Sequence, residues 1–235
     1  MSEILIKLRR ELIENSDELL RKSSQHFFKE SISCYGIKSA TVVKIGKEYF
    51  NAIKDKPKTA ILDLCDGLWQ SGMIEESFIA CNWSYYINKY YEPHDIKLFE
   101  KWIGSYVSNW ASCDTFCNHT VGTFLEMYPE YISTLKVWAA STNRWMRRAS
   151  AVSLIVPARQ GKFLKDIFEI AGLLLTDNDD MVQKGYGWML KVAGQSHQKE
   201  VFDYVMSKKT IMPRTALRYA IEKMPVELKI KAMEK

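Results

Sequence analysis

Trp110 and Asp114 stand four residues apart, a spacing that puts an indole and a carboxylate on one face of a helix. Trp145 and Arg148 are three apart and share a face in the same way. Lys184 follows Arg148 by 36 residues, and the bulky indole of Trp188 follows Lys184. Helices that present aromatics, one carboxylate and cations to a common surface describe a site for a charged, flat ligand. Nucleic acid is the obvious candidate.

Each of these residues also has a plainer use. Asp114 lies in Ser108-Asn-Trp-Ala-Ser-Cys-Asp-Thr-Phe116, and either Ser112 or Asp114 can cap a helix that starts there. A tryptophan is commonly a core residue. Seven are many, however, and a core does not easily satisfy every indole N–H. Trp69, Trp83, Trp102 and Trp138 read as structural, whereas Trp110, Trp145 and Trp188 lie beside charge or glycine. Arg144, Arg147 and Arg148 cluster at a helix start, where a solvated face is the ordinary explanation. Arg148 differs because Ala149 and Ala151 flank it, and a half-buried arginine wants a carboxylate or phosphate.

The elements that must position these side chains are helices. Glycine (11) and proline (6) are scarce, and few breakers favour long helices over many short strands. Pro57, Pro93 and Pro129 fall 36 residues apart, each before a helical pattern where proline suits the first turn. Small residues repeat on the same period at Ser77, Ala149 and Gly185. A 36-residue helical period without ankyrin or tetratricopeptide signatures predicts an all-α solenoid of HEAT-like repeats. The expected architecture is a single curved domain over 1–235, with 1–36 as an N-terminal helical cap. Predicted helices cover 3–14, 17–34, 39–54, 57–71, 73–91, 94–107, 111–127, 130–140, 143–156, 161–175, 178–194, 198–208, 213–223 and 226–234. Between two of them, Thr176-Asp-Asn-Asp179 offers side chains that can cap the next helix.

Charge is uneven. The net charge is +5, yet residues 136–235 hold 18 Lys and Arg against 10 Asp and Glu, so the basic excess belongs to the C-terminal part. That balance fits a polyanion partner as well as it fits ordinary surface lysine. The five cysteines show no framework spacing, which predicts reduced thiols and a cytoplasmic protein. The start reads as an amphipathic helix rather than a signal peptide, and no apolar run approaches a membrane span. Cys113, Cys117 and His119 lack a fourth ligand placed by spacing, so no metal is expected. Gly185-Tyr-Gly187 lacks the Lys-Ser/Thr ending of a phosphate loop and is expected inside a helix. No cofactor is expected.

Taken in order, Trp110-x-x-x-Asp114, Trp145-x-x-Arg148-Ala149 and Gly187-Trp188-x-Leu190 resemble the DNA alkylation repair proteins of the AlkD type, a family of HEAT-like repeat DNA glycosylases. Tyr35-Gly36-Ile37 followed by a helix is similar to that family's N-terminal region. The resemblance covers nearly the whole chain. It implies that Asp114 is the catalytic carboxylate, that Trp110 and Trp188 line the lesion site, and that Arg148 holds the DNA backbone. Trp110 and Arg148 are grouped with Asp114 as catalytic residues. Trp145, Arg147, Lys184, Lys191, Trp188 and Phe27 make up the expected DNA-contacting set. Two positions depart from the pattern: Phe27 stands where an active member can have a tyrosine, and Ala111 where an acid can stand. The implied activity is excision of cationic N3- or N7-alkylated purines from duplex DNA by a monomer, in base excision repair. The rival expectation is a non-catalytic α-solenoid that holds nucleic acid or a protein partner. Asp114 discriminates between them, because a carboxylate on a DNA-facing surface only weakens phosphate binding.

Overall fold

Helices account for the regular structure of residues 2–234, which the computed structural model describes. Among those residues there is no strand, and the one isolated bridge joins Ser33 to Met73. No helix among them is long and apolar enough to cross a membrane. Contacts divide the chain into two compact units, residues 1–116 and 117–235.

The first unit holds α1 (Glu3–Glu14), α2 (Glu18–Ser24), α3 (Ser39–Asn51), α4 (Lys58–Trp69), α5 (Ile74–Tyr86), α6 (Asp95–Ser105) and α7 (Trp110–Phe116). Here α5 packs between α3 and α7 in one row, while α1 and α4 lie against α3 and α5. The second unit holds α8 (Gly122–Met127), α9 (Ile132–Ala139), α10 (Arg144–Val152), α11 (Ile155–Arg159), α12 (Leu164–Leu173), α13 (Asp180–Ser196), α14 (Gln198–Lys208), α15 (Arg214–Ile221) and α16 (Val226–Met233). There the row is α10, α13 and α15, with α9 and α12 packed together beside it. Stacked helix pairs of this kind are the HEAT-like architecture that the period predicts.

Prolines mark helix starts as expected. Pro57 immediately precedes α4, Pro93 lies two residues before α6, and Pro129 opens a 3-10 turn that leads into α9. The 36-residue period has a physical basis in polar ties between neighbouring repeats. Asp66 accepts from the Trp102 indole and from Lys101, both at 2.8 Å. Lys58 reaches Asp95 at 3.0 Å, Lys162 reaches Glu126 at 2.7 Å, and the His197 ring meets the Gly161 carbonyl at 2.9 Å. Each partner lies about one repeat along the chain. The four tryptophans read as structural are all buried, and the Trp83 indole donates to the Gly46 carbonyl at 2.7 Å.

The largest departure from expectation is in the predicted helix 17–34. Only Glu18–Ser24 is α-helical, followed by a 3-10 turn over Gln25–Phe27; the chain then runs without helix to α3. Beyond the 3-10 turn the backbone bonds to other partners: the Ile32 N–H goes to the Gln25 side chain and the Ser33 carbonyl accepts from the Ile74 N–H. Buried Glu75 accepts backbone N–H bonds from Tyr35 (3.0 Å), Gly36 (2.8 Å) and Ile37 (3.2 Å). Its equally buried neighbour Glu76 accepts from the Tyr35 hydroxyl at 2.8 Å and from Arg9 at 2.9 Å. The Tyr35 pKa is raised by burial and by that bond to Glu76. Gly36 sits at φ +83°, and a Cβ there would lie 2.3 Å from the Asp17 carbonyl oxygen. Glycine is the residue that meets both conditions. The predicted helix 111–127 is also divided, into α7, a π-helical turn over Cys117–Val121, and α8.

Gly36→Ala is expected to destabilise the protein by roughly 1–3 kcal/mol or more, since strain at positive φ adds to the clash with Asp17. Urea denaturation of wild type and variant checks this. An unchanged midpoint would mean that the 33–37 segment is not tied to the fold.

Candidate functional site

Helix α7 starts at Trp110, and Asn109 caps it. The Asn109 side-chain oxygen accepts from the Ser112 N–H at 2.9 Å, and its carbonyl accepts from the Cys113 N–H at 3.2 Å. Ser112 turns its hydroxyl to Ser77 on α5, 2.7 Å away. Neither Ser112 nor Asp114 is therefore the cap, although the sequence left both open. Asp114 lies inside the helix with only 9% of its surface exposed. Taking a carboxylate out of water costs free energy, so its place there needs a reason other than capping.

Trp110, four residues before Asp114, is half-buried. One face of its indole is covered by Phe28, with ring centroids 5.5 Å apart and planes inclined by 24°. Both rings line a cavity of about 260 Å³ whose wall also includes Phe27, Ile32, Val42, Phe78 and Ala111. Phe27 is 76% exposed at this wall. The first unit thus brings Phe27, Phe28 and Trp110 together.

In the second unit the candidate residues lie on α10 and α13, neighbours in one row. Arg148 is 5% exposed and donates to the Met181 carbonyl in the first turn of α13. It fits because Gly185 has no side chain: a Cβ there would come within 3.3 Å of the Arg148 Cγ and 3.5 Å of its Nη1. Gly185 and Gly187 are inside α13, as expected, and a Cβ on Gly187 would strike α15, 2.7 Å from the Tyr219 Cβ. Trp188 is half-buried on the same helix.

The remaining cations are already engaged within the unit. Arg147 pairs with Asp177 at 2.6 Å and donates to the Ser141 and Thr142 carbonyls, both at 3.0 Å. Lys184 pairs with Asp180 at 3.0 Å, and Lys191 with Glu222 at 2.8 Å. Trp145 is 7% exposed, with the Arg144 guanidinium 5.0 Å from its ring centroid. Arg144 itself reaches Asp179 at 3.0 Å. Asp179 also caps α13 through the Met181 N–H at 2.8 Å, which is the capping expected of the 176–179 link. Arg144 and Arg147 therefore staple α10 to the link that starts α13. These pairs draw on the acidic residues already counted, so the net positive excess of residues 136–235 stands and is carried by their other cations.

Sequence reasoning missed Phe28, Asn109 and the seat that Gly185 provides. For Asn109 the signal was present, since asparagine immediately before the first helical residue is a favoured cap. For Phe28 there was none, because its partner is 82 residues away in sequence.

A family model described as DNA alkylation repair enzyme matches residues 8–224. Comparison with curated protein sequences returns no match. Among solved structures, one titled "Predicted DNA alkylation repair enzyme from Enterococcus faecalis" is similar with a TM-score of 0.81, over 90% of this chain and 98% of that chain. Sequence identity is 13%, so this likeness is one of fold.

Two substitutions test the local geometry. Asn109→Ala is expected to cost about 1 kcal/mol of stability, the usual value of an N-cap, whereas Asp114→Asn removes no cap. Chemical denaturation of both variants distinguishes the roles, and a cap-sized loss specific to Asp114→Asn would reverse the assignment. Gly185→Val is expected to cost roughly 1–3 kcal/mol by crowding Arg148, as overpacking does; the same measurement reads it.

Proposed function

The chain belongs to the DNA alkylation repair enzyme family, and from that premise we propose that it is a DNA glycosylase acting on cationic N3- or N7-alkylated purines in duplex DNA. The observation that carries this reading is Asp114, a carboxylate buried inside α7 whose helix is capped by another residue. Trp110 precedes it by one helical turn, with one indole face backed by Phe28.

The chemistry follows from the charge on the substrate. An alkylated purine of this class is cationic while attached, so it leaves as a neutral base that carries the bonding electrons. Strong protonation of the leaving group is not needed. What needs stabilising is the positive charge left on the sugar. A fixed carboxylate does this electrostatically, because it is preorganised and largely out of water. In this reading Asp114 also orients the water that closes on the sugar carbon and accepts its proton. Indole faces attract cations, by about 0.5–2 kcal/mol each, so Trp110 and Trp188 are assigned to the lesion. Arg148 is assigned to a backbone phosphate. Phosphate contacts fix register without reading sequence, which suits an enzyme that must act at any damaged position. Phe27 is assigned to DNA contact on the strength of its exposure. Arg147, Lys184 and Lys191 bring charge that is shared with Asp177, Asp180 and Glu222, so their pull on DNA is weaker than that of unpaired cations.

The test is single-turnover base release from duplex DNA containing 7-methylguanine or 3-methyladenine, measured beside DNA affinity. Asp114→Asn is expected to slow release by on the order of 10²–10³. DNA affinity should hold level or rise, since a negative charge is removed from a polyanion-binding surface. Equal release by wild type and variant would remove Asp114 from the mechanism. No release by the wild type would favour the binding-module reading. Arg148→Ala is expected to weaken DNA binding and to lower the salt dependence by about one phosphate contact; an unchanged slope in salt titrations would overturn that assignment.

A further inference from the structure

We propose that Phe28 is a positioning residue for Trp110, and that the segment from Gln25 to Ile37 serves to hold its ring against the indole. The proposal rests on the reading of Trp110 as an aromatic that meets the cationic base.

Phe28 is placed with unusual care for a residue outside a helix. It follows the 3-10 turn in extended conformation, at φ −121° and ψ 138°. Three separate anchors hold the chain around it. The Gln25 side chain donates to the Glu30 carbonyl at 2.8 Å and accepts from the Ile32 N–H at 3.1 Å, closing the loop that carries Phe28. The Ser33 carbonyl accepts from the Ile74 N–H at 2.9 Å, pinning the segment to the start of α5. Glu75 then takes the N–H groups of residues 35–37. Two of the three anchors lie on the first turn of α5, which packs against α7, the helix of Trp110.

Core filling does not explain the arrangement. Phe28 stays half-buried, Phe27 beside it stays exposed, and the cavity of about 260 Å³ that both line remains open between this segment, α3, α5 and the start of α7. A ring placed for packing would close that space, since interiors are close-packed. The near-parallel contact that Phe28 does make is with Trp110. That contact has two effects on chemistry at the indole. It removes rotamer freedom at the first residue of α7, where no preceding helical turn restricts the side chain, and so prepares the geometry before substrate arrives. It also covers one face of the indole, so a flat cation that meets Trp110 does so at the rest of the ring.

The experiment compares Phe28→Ala, Phe28→Leu and Phe28→Tyr with wild type by two readouts. One is single-turnover release of 7-methylguanine from duplex DNA, with DNA affinity measured alongside. The other is ¹⁹F NMR of protein labelled with 5-fluorotryptophan, with the Trp110 resonance assigned from Trp110→Phe. Phe28→Ala is expected to slow release by up to about tenfold, the ceiling that an aromatic pair's coupling allows, while DNA affinity stays within about twofold. Its Trp110 resonance should shift, because the stacked ring no longer shields the label. Phe28→Leu keeps apolar bulk without a ring, so it preserves the fold where alanine fails to, and should reproduce both changes. Phe28→Tyr should restore both rate and resonance. Wild-type release and an unshifted Trp110 resonance in Phe28→Leu would overturn the proposal. So would a rate loss that Phe28→Tyr does not restore, since that marks general packing. If the wild type releases no base, the glycosylase reading fails, while the fluorine resonance still decides whether Phe28 holds Trp110.

Discussion

Two adjacent buried carboxylates, Glu75 and Glu76, hold the N-terminal third of the first unit in place. Their ion pair and hydrogen bonds run to α1 through Arg9 and to the 35–37 segment through three N–H groups and a phenol. A buried charge is tolerable only when it is fully partnered, and here each carboxylate has partners that no other side chain duplicates. The Arg9 pKa is raised by its hydrogen bonds to Glu76, which hold the guanidinium charged. Everything that Phe27 and Phe28 contribute to the candidate site follows from this attachment.

The second unit uses the same device with the signs exchanged. Asp177 and Asp179, in the link before α13, receive Arg147 and Arg144 from α10. Asp179 at the same time caps α13, so one side chain sets both the start of a helix and its distance from the neighbour. Gly185 then makes the close approach that Arg148 needs one turn further along. The result is a helix pair whose charged residues are mostly committed to each other. Arg148, almost fully buried, donates to the Met181 carbonyl in the first turn of α13 and so ties α10 to that helix.

Repeat proteins owe their stability to neighbour interfaces, and the polar ties at about one repeat's spacing show what makes this interface specific. Apolar packing alone would let a helix slide along its neighbour by a turn. The Asp66 bonds to Lys101 and Trp102, or the Glu126 bond to Lys162, do not survive such a slip. These polar pairs therefore oppose a slip between α4 and α6 and between α8 and the chain leading into α12.

The sequence by itself determined the helical class, the 36-residue period, the prolines at helix starts and the face shared by Trp110 and Asp114. All of these depend on contacts within one helix or on a repeat that local spacing displays. It left open whether Asp114 caps a helix, and it wrongly extended a helix through residues 28–34. Tertiary structure decided those points. Asn109 took the cap, because α7 starts one residue earlier than the predicted helix. Residues 28–34 left helical conformation where other groups took their backbone bonds: the Gln25 side chain takes the Ile32 N–H, and the Ser33 carbonyl accepts from Ile74 on α5. The stacking of Phe28 on Trp110 and the seating of Arg148 against Gly185 likewise join residues far apart in the chain. A single sequence carries propensity and periodicity, which are local; which distant groups satisfy each other is settled only when the chain is packed.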